Sequence, residues 1–183
     1  IIDLVRDFPF ATERDRSIWI AFLLTILLRA LVKGPVPFFL FDGNRTGAGK
    51  TLLVQISHLI LTGEEATLSL EVRDWIEQEK RIAAELMKNP ILVCIDDIRK
   101  ELGNGPLDAI ITSGKFGTRI LGTLEHKEFI VSTVFAGTGT NIQFAREDTR
   151  RRSLICRLET QLENPFQPRE FAHSDLRTHV RAQ

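Results

Sequence analysis

Within the ten residues Asp42-Gly43-Asn44-Arg45-Thr46-Gly47-Ala48-Gly49-Lys50-Thr51 stand three glycines, a lysine and two threonines, at the end of an apolar run and the start of a helical pattern. Those residue types in that context bind phosphate. Gly47 and Gly49 let the backbone curl so that its N–H groups point inward at phosphate oxygens. A helix starting near Lys50 adds its dipole and its free N–H groups. Lys50 would reach the β- and γ-phosphates, and the Thr51 hydroxyl would ligate Mg²⁺. Asn44, Arg45, Thr46, Gly47, Ala48, Gly49, Lys50, Thr51 and Leu52 are therefore the candidate nucleotide-binding residues of a P-loop, with ATP and Mg²⁺ as the implied cofactors. The motif wants glycine five residues before Gly49, where this chain has Asn44, with Gly43 one residue early. Asparagine tolerates left-handed backbone angles, so the expectation is a loop with an altered start. A glycine-rich turn that binds nothing would not require strand, Gly-Lys-Thr and helix in register.

Ile91-Leu92-Val93-Cys94-Ile95 runs into Asp96-Asp97 beyond two helical stretches. At a strand end beside a phosphate loop, the first acid holds Mg²⁺ and the second polarises the attacking water, which gives Asp96 the metal role and Asp97 the base role. Asp97 is one methylene shorter than the glutamate more usual there. Val131–Ala136 then reaches Gly137-Thr138-Gly139-Thr140-Asn141, where a polar side chain would touch the γ-phosphate or the water. Asn141 is the first choice and Thr138 the second, and the same five residues read equally as a tight turn. Between Arg146 and Arg157 lies an arginine-rich stretch with Arg150-Arg151-Arg152 in succession. It reads as a solvated face, a nucleic-acid patch, or the source of an arginine finger inserted into a neighbouring subunit.

The elements that must position these residues alternate between strand and helix. Ser17 is expected to cap a helix over Ile18–Val32, closed by Gly34-Pro35. Pro37–Phe41 and Ile91–Ile95 are short apolar runs that suit strands buried on both faces. Thr51–Leu61, Asp74–Met87 and a stretch from Pro106 to Thr112 carry helical spacing. Arg119–Thr123 and Glu128–Phe135 bracket Leu124–Lys127 as a hairpin, Ser153–Glu159 is a final strand, and Ser174 caps a last helix to Arg181. The pattern implies an α/β fold with a parallel sheet sandwiched by helices.

With 183 residues, 43% of them apolar and 26% charged, the chain has the makeup of an ordinary globular domain rather than a disordered segment, a collagen or a rod. Lys+Arg 24 balances Asp+Glu 24, so any nucleic-acid contact must be local. Cys94 and Cys156 sit in apolar runs and read as core residues, and the four histidines show no metal-ligand spacing. Ile18–Leu28 is too short for a bilayer and no signal peptide precedes it, so the expectation is a cytoplasmic protein with no membrane partner. The chain opens on Ile1 and stops at Gln183 inside a helical pattern, which reads as a piece of a larger protein.

Together these motifs resemble the ATPase domains of AAA+ or superfamily 3 helicases, of the primase-helicase type found in phage, plasmid and mobile-element replication. Asp7-Phe8-Pro9-Phe10, Gly34-Pro35-Val36-Pro37, the loop through Thr51, Asp96-Asp97, Arg119–Gly122, Gly139-Thr140-Asn141 and Arg151-Arg152 carry the likeness in their order. The resemblance implies an AAA+-like ASCE core over 35–160, a short N-terminal helical extension over 1–34, and the start of a C-terminal helical segment over 161–183. It gives Walker A duties to Gly47, Gly49, Lys50 and Thr51, Walker B duties to Asp96 and Asp97, sensor 1 to Asn141, and the trans-acting finger to Arg151 with Arg152 its rival. It also implies a homo-oligomeric ring, a hexamer, acting on single-stranded or forked DNA. His126 and Lys127, at the expected hairpin turn, would touch DNA in the channel, where an ordinary surface turn reads as well. Arg177 and Arg181 are the candidates for a second sensor. The alternatives are a P-loop kinase of small molecules or nucleotides, and a slow regulatory or loader ATPase.

Overall fold

A computed structural model describes residues 2–70, 74–99, 101–103, 105–119, 126–161 and 171–182. After a 3-10 turn at Ile2–Val5, helix α1 spans Glu13–Leu28. Its cap is Thr12, not Ser17. The Thr12 hydroxyl accepts from the Asp15 N–H at 3.4 Å and donates to the Asp15 carboxylate at 2.5 Å, a reciprocal cap that turns the charged Glu13–Arg16 stretch into a first helical turn. Ser17 lies inside the helix and donates to the Glu13 carbonyl.

Strand β1 (Phe38–Gly43) leads through the glycine-rich loop into α2 (Lys50–Thr62). Then come β2 (Leu68–Leu70), α3 (Trp75–Met87), β3 (Leu92–Ile98), β4 (Glu101–Leu102) and α4 (Gly105–Ser113). A hairpin of β5 (Lys115–Arg119) and β6 (His126–Ile130) precedes β7 (Val134–Thr140) and β8 (Gln143–Phe144). The chain closes with α5 (Glu147–Arg151), β9 (Ser153–Leu158) and α6 (Leu176–Arg181), whose cap is Asp175 rather than Ser174.

The main sheet has the order β2-β3-β7-β1-β9, and every pairing in it is parallel. Every residue of β1 is buried, because helices cover both faces of the sheet. Phe39 and Phe41 face Trp19, Phe22, Leu53 and Val54 of α1 and α2. Phe38 and Leu40 face Ile82, Leu86, Leu107 and Ile110 of α3 and α4. The period of two thus feeds two cores from one strand. Trp19, fully buried, also donates its indole N–H to Ser57 at 2.9 Å and ties α1 to α2. Trp19→Ala should cost about 3–5 kcal/mol of unfolding free energy, measurable by urea titration.

β2 carried no sequence expectation, since three residues are too few to show a period. The hairpin is present but displaced: β6 starts at His126, which pairs with Arg119, while Lys127 pairs with Thr118. His126 and Lys127 are strand residues and not the turn. The hairpin register follows Phe116 packing on Phe129, with ring centroids 6.4 Å apart. Residues 120–125, including most of the expected Arg119–Thr123 strand, lie outside the described residues, as do residues 162–170. Cys94 and Cys156 are buried free thiols, and burial pushes both above the ordinary thiol range. Among the described residues no helix is long and apolar enough to cross a membrane.

Candidate nucleotide site

The loop after β1 needs left-handed backbone at two positions, and Gly47 (φ 84°) and Gly49 (φ 91°) supply it. Gly49 is also the N-cap of α2, so the free N–H groups of that helix open onto the loop. Gly43 is required for another reason. A Cβ there would stand 3.1 Å from the Lys50 side chain and 3.2 Å from the Leu158 carbonyl.

Asn44 does not adopt the left-handed backbone expected from its type; the only non-glycine residues there, among those described, are Asn89, Asp97 and Asn141. Its side-chain amide instead pairs both ways with the backbone of Thr160, donating to the carbonyl at 2.9 Å and accepting from the N–H at 3.1 Å. The asparagine thus fastens the start of the loop to the chain leaving β9, a task glycine has no atoms to perform.

Lys50 is buried and donates to the Arg45 carbonyl at 2.8 Å and to the Thr140 hydroxyl at 3.2 Å. Burial pushes its ammonium below the ordinary lysine range, and the carboxylates of Asp42, Asp96 and Asp97 oppose that shift. Two hydroxyls converge on one oxygen of Asp96: Thr51 donates to Oδ1 at 2.8 Å and Thr138 at 2.6 Å. Three elements, α2, β3 and β7, therefore meet at a hydroxyl–carboxylate cluster beside Lys50. Oxygen donors of this kind suit a hard cation such as Mg²⁺.

Asp97 leaves this cluster. Ile95 pairs with Gly137 and Ile98 with Gly139, so β3 carries one extra residue in a bulge. The bulge puts Asp97 at φ 55°, with its N–H donating to Thr138 at 3.2 Å. Its carboxylate turns outward to Arg99, which contacts it at 3.1 Å.

Asn141, at φ 52°, donates from its backbone N–H to the Gly43 carbonyl at 3.0 Å. Its side chain meets the Asn44 carbonyl at 3.4 Å and Arg157 at 2.8 Å rather than Asp96. The side chains that reach Asp96 and Lys50 from β7 are Thr138 and Thr140. Thr140 and Arg157 were not singled out from the sequence; Thr140 sits two residues along from Thr138 on the same strand, which was the available signal.

Arg45 and Thr46 form the exposed tip of the loop, and Ala48 and Leu52 face a cleft of about 300 Å³ on its other side. Leu4, Phe8 and His173 also line that cleft. The N-terminal segment reaches it because Phe10 bridges to Leu158 and Glu159 donates to the Pro9 carbonyl. The other wall is held by Asp7, which accepts from the Ala172 N–H at 2.8 Å, and by Arg177, which pairs with Gln55 at 2.7 Å and with Glu65 at 3.1 Å. Arg181 pairs with Glu65 as well.

Arg151 and Arg152 lie on and just after α5 and pair with Glu147 and Asp148 of that helix rather than with Asp96 or Lys50. His126 and Lys127 lie in β6, paired with Arg119 and Thr118.

No protein-family model matches this sequence, and no curated protein matches it. Solved structures share its fold. The apo C-terminal region of NrS-1 aligns with a TM-score of 0.59 at 15% identity, over 98% of this chain and 45% of that one. The JCV helicase, solved with a small molecule bound, aligns with a TM-score of 0.54 at 17% identity, over 78% of this chain and 40% of that one. This chain spans less than half the length of either. What the likeness establishes is the fold, a helicase-like P-loop fold built on a five-stranded parallel sheet flanked by helices.

Proposed function

We propose that this chain is the ATP-hydrolysing motor domain of a ring-forming DNA helicase or translocase used in phage or mobile-element replication. The observation that carries the reading is the convergence of Thr51 and Thr138 on Asp96 beside the buried Lys50, at the mouth of a loop whose helix has no side-chain cap. Lys50 and the α2 N–H groups bind the phosphates, and the cleft lined by Leu4, Phe8 and Leu52 takes the nucleoside end. Thr51 and Asp96 would hold Mg²⁺, which would supply charge neutralisation to the phosphates. Asp97 accepts the proton of the attacking water once its carboxylate leaves Arg99. Asn141 orients the γ-phosphate, and Arg151 of a neighbouring subunit completes the site. Residues 35–160 form the ATPase core, between the 1–34 extension and the C-terminal segment 161–183. His126 and Lys127, in the hairpin of β5 and β6, are the candidate DNA-touching residues in the channel of a hexamer.

The test is ATP hydrolysis against protein concentration, with and without single-stranded DNA. Specific activity that rises with concentration and is stimulated by DNA is the expected result. Turnover that is flat with concentration and blind to DNA would sink the ring-motor reading. The Asp97–Arg99 pair favours a second reading, a slow regulatory ATPase, because the base is engaged elsewhere. That reading predicts tight ATP binding with negligible turnover even with DNA, and Arg99→Ala would then raise the rate.

A further inference from the structure

Beneath the phosphate loop lies an ion pair that the proposed chemistry does not use. Asp42 at the end of β1 and Arg157 on the adjacent β9 contact each other, with side chains only 7% and 28% exposed. A pair taken out of water this far adds little net stability over an apolar pair of the same volume. Its contacts suggest another task. Each nitrogen of the Arg157 guanidinium is engaged: one on Asp42, one on Glu159 at 3.1 Å, and one on the Asn141 side-chain oxygen at 2.8 Å. The second oxygen of Asp42 accepts from the Ile142 N–H at 3.2 Å. Asp42 and Arg157 therefore grip both residues of the turn that follows β7.

We propose that Arg157 is a positioning residue that fixes which end of the Asn141 amide faces the nucleotide. This rests on the ATPase reading above. A guanidinium has donors and no acceptor, so the amide must turn its oxygen toward Arg157. Nδ2 is then directed the other way, 3.4 Å from the Asn44 carbonyl at the start of the phosphate loop. Asn141 meets the site as a hydrogen-bond donor, the polarity that an anionic phosphate oxygen requires. Released from Arg157, the amide is free to flip and present its carbonyl to the anion. Three of its five N–H donors hold Glu159, Asp42 and Asn141, so Arg157 acts through Asn141.

The test compares Arg157→Lys, Asn141→Ala and the double variant. Arg157→Lys keeps a cation for the buried Asp42, so the fold survives, but a single ammonium lacks the fork that spans Asp42 and Asn141. In both single variants kcat should fall between about ten- and a hundredfold, as for a misplaced reacting group. KM should stay within about twofold, and the double variant should be no worse than either single one. Losses that multiply, or a loss confined to KM, would overturn the assignment. A readout that needs no turnover runs beside it: the Asn141 side-chain NH₂ resonances, assigned by their disappearance in Asn141→Ala. They should move to solvent-exposed values in Arg157→Lys, and unchanged resonances refute the proposal. If the wild type fails to hydrolyse ATP, the ATPase reading falls while the resonances still decide the role of Arg157.

Discussion

Lys50→Ala should lower ATP turnover by about a hundred- to a thousandfold, the scale for removing one preorganised charge from a developing anion. On the proposed reading, the residue is held for that purpose at a cost. Burial disfavours its charge, and three carboxylates only partly offset the burial. A lysine in that state gains most when a phosphate arrives, because the anion supplies the counter-charge that burial withholds. Gly43 leaves the space through which the side chain runs, and Arg45 and Thr140 hold its ammonium. Alanine removes the charge without filling that space. The variant should stay folded, with a melting temperature within about 4 °C of the wild type, since the fold loses a penalised cation and no core contact. Nucleotide affinity, followed with a fluorescent ATP analogue, should fall together with kcat. An alanine variant that turns over ATP at the wild-type rate would show that phosphate binds elsewhere.

The parts of this site that a sequence displays are those it builds from neighbours in the chain. The loop from Asp42 to Thr51 is contiguous, its glycines declare the backbone, and the helix that follows declares its start, so the loop and its place between strand and helix could be read. The all-apolar runs gave the buried strands because a sheet covered on both faces leaves no polar alternation to confuse. What could not be read was built across strands. Thr138 and Asp96 meet because β7 lies beside β3, and Arg157 meets Asp42 because β9 lies beside β1; no spacing in the chain records either adjacency. The bulge that turns Asp97 outward is likewise a property of the β3–β7 register. Asn44 shows a further limit. Its residue type suggested a backbone role, while the structure gives its amide a tether to Thr160, more than a hundred residues on. Thr12, Asp175 and the hairpin were near misses of a different kind. Two plausible caps stood within a few residues of each other, and the side-chain pairing across the hairpin decided its register.

Arg151→Ala should reduce turnover by about 10³-fold or more while leaving ATP binding intact, if this arginine serves the site of the next subunit. Arg151 is the more exposed and more loosely paired of the two candidates. Its side chain is 73% exposed and, among the described residues, pairs with Glu147 at a long 3.8 Å, whereas Arg152 is 38% exposed and bound to both the carbonyl and the carboxylate of Asp148. A finger needs reach with a rigid base, and α5 provides the base. Thr149, fully buried, donates to Asp108 at 2.5 Å and locks the short helix to α4. Loss of activity alone would not separate a trans role from a local one, so the decisive measurement mixes two dead proteins. A Lys50→Ala subunit has no working phosphate site but offers an intact finger; an Arg151→Ala subunit has the reverse. In a ring assembled from equal amounts, about one interface in four places an intact site against an intact finger. Hydrolysis should therefore recover to roughly a quarter of the wild-type rate on mixing, provided the interfaces act independently. A mixture that stays inactive removes Arg151 from the trans role. Recovery with Arg152→Ala in its place would assign the finger to that residue instead.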